Sequence, residues 1–176
     1  MAFFFLSTTV YTYPLIRCLD SCVRNTADPL LNAWILAWDV HQTLEDPTQI
    51  FDTNMFYPHA NTLAYSESQF ANALLAAPVL LLTNKAIVAH NFVHVFSFVF
   101  SGFGMFLLVK HLTGRWIAGL VAGIIFAFTP YRFSHFQIQL LATQWMPFAL
   151  LYLDKAFHKQ RWSDFLGFAL FFNLTV

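Results

Sequence analysis

A-I-V-A-H-N-F-V-H-V-F-S-F-V-F-S-G-F-G-M-F-L-L-V, residues 86–109, runs for 24 residues without an aspartate, glutamate, lysine or arginine. A helix needs about 20 apolar residues to cross the hydrocarbon core of a bilayer. In lipid, only a helix or a closed barrel satisfies its own backbone. The stretch therefore reads as a membrane-spanning helix. Further apolar runs follow at Trp116–Tyr131, Trp145–Phe157 and Phe165–Val176, joined by polar segments at Lys110–Arg115, Arg132–Gln144 and His158–Asp164.

Composition agrees. The 176 residues are 58% hydrophobic and 10% charged, whereas soluble domains carry about 25% charged residues. A formal net charge of zero, with no basic run or RNA-binding motif, excludes a nucleic-acid partner. The fold class expected is all-α: a polytopic transmembrane helical bundle whose large first extracytoplasmic loop contains interfacial helices. As a single membrane domain it divides into a first transmembrane segment within 1–16, an outer loop over 17–85, and further transmembrane helices over 86–176. The first segment has no basic n-region or small-residue cleavage site, so it is not a signal peptide. It is short, and Thr8, Thr9, Thr12 and Pro14 make it polar for a span. Phe165–Val176 stops inside an apolar run without a cap or exit loop, which predicts a longer chain.

Orientation follows from charge. Phe70–Thr83 has only about fourteen residues and contains Pro78, so it reads as an interfacial or re-entrant helix. Kept on one side, it leaves Lys110, Arg115, Lys159 and Arg161 on a common face, which the positive-inside rule places in the cytoplasm. The 17–85 loop and Arg132–Gln144 then lie outside. That loop carries seven acidic residues (20, 28, 39, 45, 46, 52, 67) against three basic ones (17, 24, 85). The protein is accordingly expected to be an integral, multi-pass plasma (inner) membrane protein.

Inside the loop, Asp28-Pro29 reads as an N-cap followed by proline at the first helical position. The helix after it, through about Val40, puts Leu30, Leu31, Trp34, Ile35, Ala37 and Trp38 on one arc, with Asp28, Asn32 and Asp39 on the opposite stripe. It is expected to lie in the membrane interface with that stripe toward water. Asp46-Pro47 marks another turn, and Ser66-x-x-Gln69 reads as a capping box opening Phe70–Thr83. Cys18 and Cys22, the only cysteines, read as free structural thiols, because a bridge at that spacing is awkward.

Asp28 is the leading carboxylate, as a cap, as a base or metal ligand, or as both. Asp39, eleven residues on, lies about 16 Å further along the helix, too far for a close acid–base pair. Glu45 and Asp46 read as solvated loop charges. His59 sits in an aromatic turn and is a candidate ligand to substrate. His90 and His94 read as a polar pair facing the interface, with no third metal ligand placed. Gly102, Gly104 and Gly119-x-x-x-Gly123 fit close helix packing in lipid. In T-P-Y-R-F-S-H-F-Q-I-Q-L-L-A-T-Q-W-M-P, Arg132 either grips a phosphate or snorkels to the headgroups. His135, Gln137, Gln139 and Gln144 stand near it, His135 and Gln139 being substrate-binding candidates, and the two outer loops are expected to converge over one pocket.

D-P-L-L-N-A-W-I-L-A-W, N-M-F-Y-P-x-x-N-T-L-A-Y-S-E, L-L-A-A-P-V-L-L-L-T-N and F-A-F-T-P-Y-R-F-S-H-F-Q-I-Q-L-L-A-T-Q-W-M-P, in this order over essentially the whole chain, resemble the amino-terminal part of GT-C-type integral membrane glycosyltransferases, specifically the large prokaryotic members. The resemblance implies a polyprenyl-phosphate sugar donor, inversion at the anomeric carbon, and a first-loop carboxylate that activates the acceptor. That carboxylate maps onto Asp28, with Asp39 as a second catalytic candidate and Arg132, His135, His59 and Gln139 as substrate-binding candidates. The second acidic motif common in the family is absent, since Arg132–Gln144 holds no Asp or Glu. No cofactor is implied with certainty, and a divalent metal is possible. Membrane lipids are expected partners, and the acceptor is unspecified. The alternative is a non-catalytic membrane protein, a lipid or polysaccharide transporter or an assembly scaffold.

Overall fold

The computed structural model describes residues 1–23, 25–66, 69–135 and 137–175. Among these residues the chain is helical, with no strand. Its axis is α4, with α1, α2, α3, α5 and α8 packed around it. The elements are α1 (Ala2–Tyr11), α2 (Asp28–Glu45), α3 (Phe70–Thr83), α4 (Ala86–Thr113), α5 (Trp116–Ala127), α6 (Pro130–Ser134), α7 (Ile138–Leu141), α8 (Met146–Lys159) and α9 (Trp162–Asn173).

The 28 residues of α4 reach about 42 Å at 1.5 Å per residue. The helix stops at Gly114, whose φ of +69° is the left-handed cap that glycine adopts without strain. The chain breaks at Thr129, and Pro130 restarts it as α6. Among the described residues, two helical stretches, Ala86–Thr113 and Trp116–Ser134, are long and apolar enough to cross a membrane. α1 and α3 are shorter apolar helices of ten and fourteen residues.

The glycines act as the sequence predicts. A Cβ on Gly123 would lie 2.5 Å from the Gly102 carbonyl oxygen and 2.6 Å from Phe4 Cζ, and one on Gly119 would lie 2.7 Å from the Phe106 carbonyl oxygen. Only glycine lets α5 approach α4 this closely. Phe4 fills the remaining space with Leu15, Val95 and Val99. On the other side, the Trp145, Phe148 and Tyr152 rings meet Phe171, holding α9 to α8. His111 Nε2 meets Asp154 Oδ2 at 2.9 Å, so the carboxy-terminal ends of α4 and α8 lie together. A separate core of Leu36, Ala73, Ala76, Ala89, Val93 and Ile138 joins α2, α3, α4 and α7.

Five local expectations are corrected. Cys18 and Cys22 are not free thiols: they form a disulfide with their Cα atoms 5.3 Å apart. After the 3-10 turn Leu15–Arg17, a single turn closes with Cys22 N–H donating to the Cys18 carbonyl (2.8 Å), which brings the two side chains together. Asn91 on α4 anchors that turn by donating to the carbonyls of Leu19 and Cys22. Asp28 does not cap α2 with its side chain: Ala27 is the N-cap, and Asp28 is the first helical residue. Ser66 does not open α3, whose N-cap is Gln69. Ser66 instead closes the preceding 3-10 turn, Thr62–Tyr65.

The fourth correction concerns α2, which reaches Glu45. Its polar stripe faces the protein rather than water: Asn32 is 1% exposed and Asp39 4%, while Leu30 and Leu31 are exposed. Asn32 turns inward because carboxamides from two other segments satisfy it there. His90 and His94 are likewise buried, at 3% each, rather than facing the interface.

Candidate functional site

The inward face of α2 builds a chain of amides. Gln69 Nε2 donates to Asn32 Oδ1 at 2.7 Å, and Asn32 Nδ2 donates to Gln139 Oε1 at 2.8 Å. Gln69 stands at the start of α3 and Gln139 in α7, so Asn32 fastens both to α2. One turn before Asn32, the Asp28 carboxylate accepts from Gln137 Nε2 at 2.7 Å. Asp28 itself is exposed. The turn leading into it is held by Ala27 N–H donating to Asn25 Oδ1. The acidic first loop and the 130–145 segment thus meet at two rungs, 28 to 137 and 32 to 139.

Gln69 and Gln139 both line a cavity of about 680 Å³ between the start of α3, α7 and the end of α9. Asn72 and Asn173 supply two more carboxamides, and Leu74, Leu140, Leu170 and Leu174 the apolar walls. The described lining residues carry no formal charge.

Asp39 occupies a different environment. It lines two smaller cavities of about 310 and 200 Å³ whose other walls are largely apolar. Its carboxyl makes no hydrogen bond or ion pair with a described residue, and burial pushes it up to about 6. A carboxyl tuned toward the working pH inside a cavity is how general bases are made. The Phe70 side chain belongs to these two cavities and to the larger one.

Arg132 is 4% exposed. Its guanidinium donates to Thr143 Oγ1 (2.6 Å) and Ser97 Oγ (3.3 Å) and lies 4.8 Å from the centre of the Phe98 ring. No described carboxylate lies within 4 Å of it, and its Nε lacks a partner. It lines none of the cavities above. His135 stacks on Tyr131 at 4.1 Å, and its Nδ1 meets the Tyr131 carbonyl oxygen at 2.9 Å. His59 is exposed in the 46–66 loop, and its ring makes no hydrogen bond or ion pair with a described residue. Among the described residues, no three of His, Cys, Asp and Glu come together to hold a metal ion.

Of the candidates, the structure brings Asp28 and Gln139 into neighbouring rungs. Asp39, His59, His135 and Arg132 stand outside that network. Asn32, Gln69 and Gln137 complete it and were not marked as site residues by sequence. The available signal was the four-residue step from Asp28 to Asn32 beside Gln137-x-Gln139.

The chain matches no family model, no curated protein and no solved structure.

Proposed function

We propose that this chain belongs to a multi-pass membrane glycosyltransferase that moves a sugar from a polyprenyl-phosphate donor to an acceptor on the outer face. The observation that carries the proposal is the meeting of α2 with the 130–145 segment. An exposed carboxylate, Asp28, stands one helical turn from Asn32, whose partners Gln69 and Gln139 line an amide-bearing cavity with leucine walls and no charge among its described residues. Such a cavity suits the sugar of a lipid-linked donor, with the linking phosphate left outside it. Asp28 is placed to take a proton from, or to orient, an acceptor hydroxyl arriving from the exposed side, while Gln137 holds its carboxylate. Arg132 supports the phosphate half: a buried cation without a described counter-charge makes its segment favourable for an anion.

The resemblance described above points the same way. In this topology the basic loops are cytoplasmic and the carboxamide network is extracytoplasmic. General-base help is worth about 10²–10⁴ in rate. The test is transfer of labelled sugar from polyprenyl-phosphate donors by the full-length protein in proteoliposomes. Asp28→Asn should cut turnover by a factor in that range while leaving the fold intact. Full turnover in the variant would remove Asp28 from the mechanism.

One observation favours a transporter instead. His90, His94, Ser97 and Ser101 form a buried row on α4, and Arg132 bonds to Ser97 within it. Interior ionisable groups in spanning helices mark pathways. Movement of labelled lipid across the bilayer without sugar transfer would select this reading.

A further inference from the structure

We infer that the cavity between α3, α7 and α9 binds an uncharged, hydroxyl-rich headgroup through a neighbouring pair of hydroxyls, one donating to Gln69 and the other accepting from Gln139. This deepens the glycosyltransferase reading and rests on it for the name of the ligand: the headgroup is the sugar of the lipid-linked substrate.

The inference starts from direction in the amide chain. Gln69 donates to Asn32 and Asn32 donates to Gln139. Each link uses one NH₂ and one carbonyl, so the two ends are left chemically opposite. Gln69 Oε1 is a buried acceptor with no partner. Gln139 Nε2 is a donor that bonds to no described residue. Reversing all three amides together exchanges the ends and still leaves one donor and one acceptor. Both end residues line the same cavity. Asn72, 3% exposed, adds a second unpartnered carbonyl, Oδ1, on the same lining.

A buried acceptor left unpaired costs about 1–3 kcal/mol, so the empty arrangement holds a standing demand for a donor. A hydroxyl both donates and accepts, and two on adjacent carbons meet an acceptor and a donor at once. An ionised headgroup would be stripped of water among uncharged described walls with no counter-charge, which is unfavourable. Leu74, Leu140, Leu170 and Leu174 provide apolar surface for the C–H faces of the sugar ring.

The test measures binding, not transfer. The full-length protein in phosphatidylcholine nanodiscs is titrated with radiolabelled hexyl glucoside, with hexyl phosphate as the charged probe. Saturable binding of the glycoside and none of the phosphate is expected. Deoxygenating one member of the recognised hydroxyl pair should weaken binding about tenfold, as one neutral hydrogen bond lost inside a cavity. Gln139→Glu keeps the oxygen that accepts from Asn32 and replaces the free donor, and should weaken binding by a similar factor. The deoxy series needs no variant, so it decides the matter even if the substitution unfolds the protein. Equal affinity for every deoxy analogue, or preference for the phosphate, would overturn the inference. Glycoside binding with this pattern but no transfer from any donor would keep the cavity and sink the transferase. Transfer by a protein whose glycoside affinity ignores both changes would do the reverse.

Discussion

Replacing Asp39 by asparagine should make the protein more stable at neutral pH and, more tellingly, flatten the dependence of its stability on pH. The folded carboxyl titrates near 6, against an ordinary value of 3.8, because it is buried without a partner. Between about pH 4 and 6 the folded chain therefore holds a proton that the unfolded chain releases. Stability falls as pH rises through that window and stays lowered above it. The shift, multiplied by 1.36 kcal/mol per pKa unit, amounts to on the order of 3 kcal/mol. Asparagine keeps the shape but cannot ionise, so it removes the slope at the smaller cost of a buried amide. The assay is thermal unfolding in detergent followed by tryptophan fluorescence from pH 4.5 to 8, with Trp34 and Trp38 on the same helix as reporters. The wild-type midpoint should drop across pH 4.5–6.5, while that of Asp39→Asn stays level and lies above wild type at pH 7.5. A variant with the same slope as wild type, or one destabilised at pH 7.5, would refute the view that Asp39 is an unpaired buried carboxyl.

Other perturbations read other parts of the structure. Asn32→Leu strands Gln69 Nε2 and Gln139 Oε1, and should cost about 2–6 kcal/mol by the same unfolding assay, at about 1–3 kcal/mol per stranded group. Gly123→Val drives methyl groups against the Gly102 carbonyl and the Phe4 ring; a loss of about 1–3 kcal/mol is expected, with no such loss at exposed Val121→Ala. Without reductant, Cys18 and Cys22 should resist maleimide in unfolded protein, and mass spectrometry should show both labelled only after reduction.

The run 86–109 was legible as a helix from its length and unbroken apolar character, and Phe70–Thr83 was legible as a helix though not in its cap. The glycine contacts of α5 were equally visible, since a small residue every fourth position has one main use on an apolar helix. Helix α2 shows where reading along the chain stops. Its periodicity correctly put Asp28, Asn32 and Asp39 on one stripe, yet periodicity carries no sign. Leucines and tryptophans on the opposite arc made water the natural home for the stripe. The partners that reverse it, Gln69 and Gln139, lie 37 and 107 residues from Asn32, beyond any local pattern. The Asp28 cap failed for a related reason: a carboxylate at the first turn has two good uses, and a glutamine 109 residues away decided between them. The cysteine spacing was judged as though the chain stayed helical, whereas the turn after Arg17 sets its own geometry. His90 and His94 look interfacial from their place near a span end, and only packing against the rest of the bundle buries them.

The most direct measurement is photo-crosslinking of the full-length protein in native membranes with a polyprenyl-phosphate sugar whose ring carries a diazirine, followed by peptide mapping. The account predicts label on the segments around Gln69–Leu74 and Gln137–Ala142, displaced by unlabelled donor and retained in Asp28→Asn. Label absent from both segments, or confined to α8 and insensitive to competitor, would contradict it.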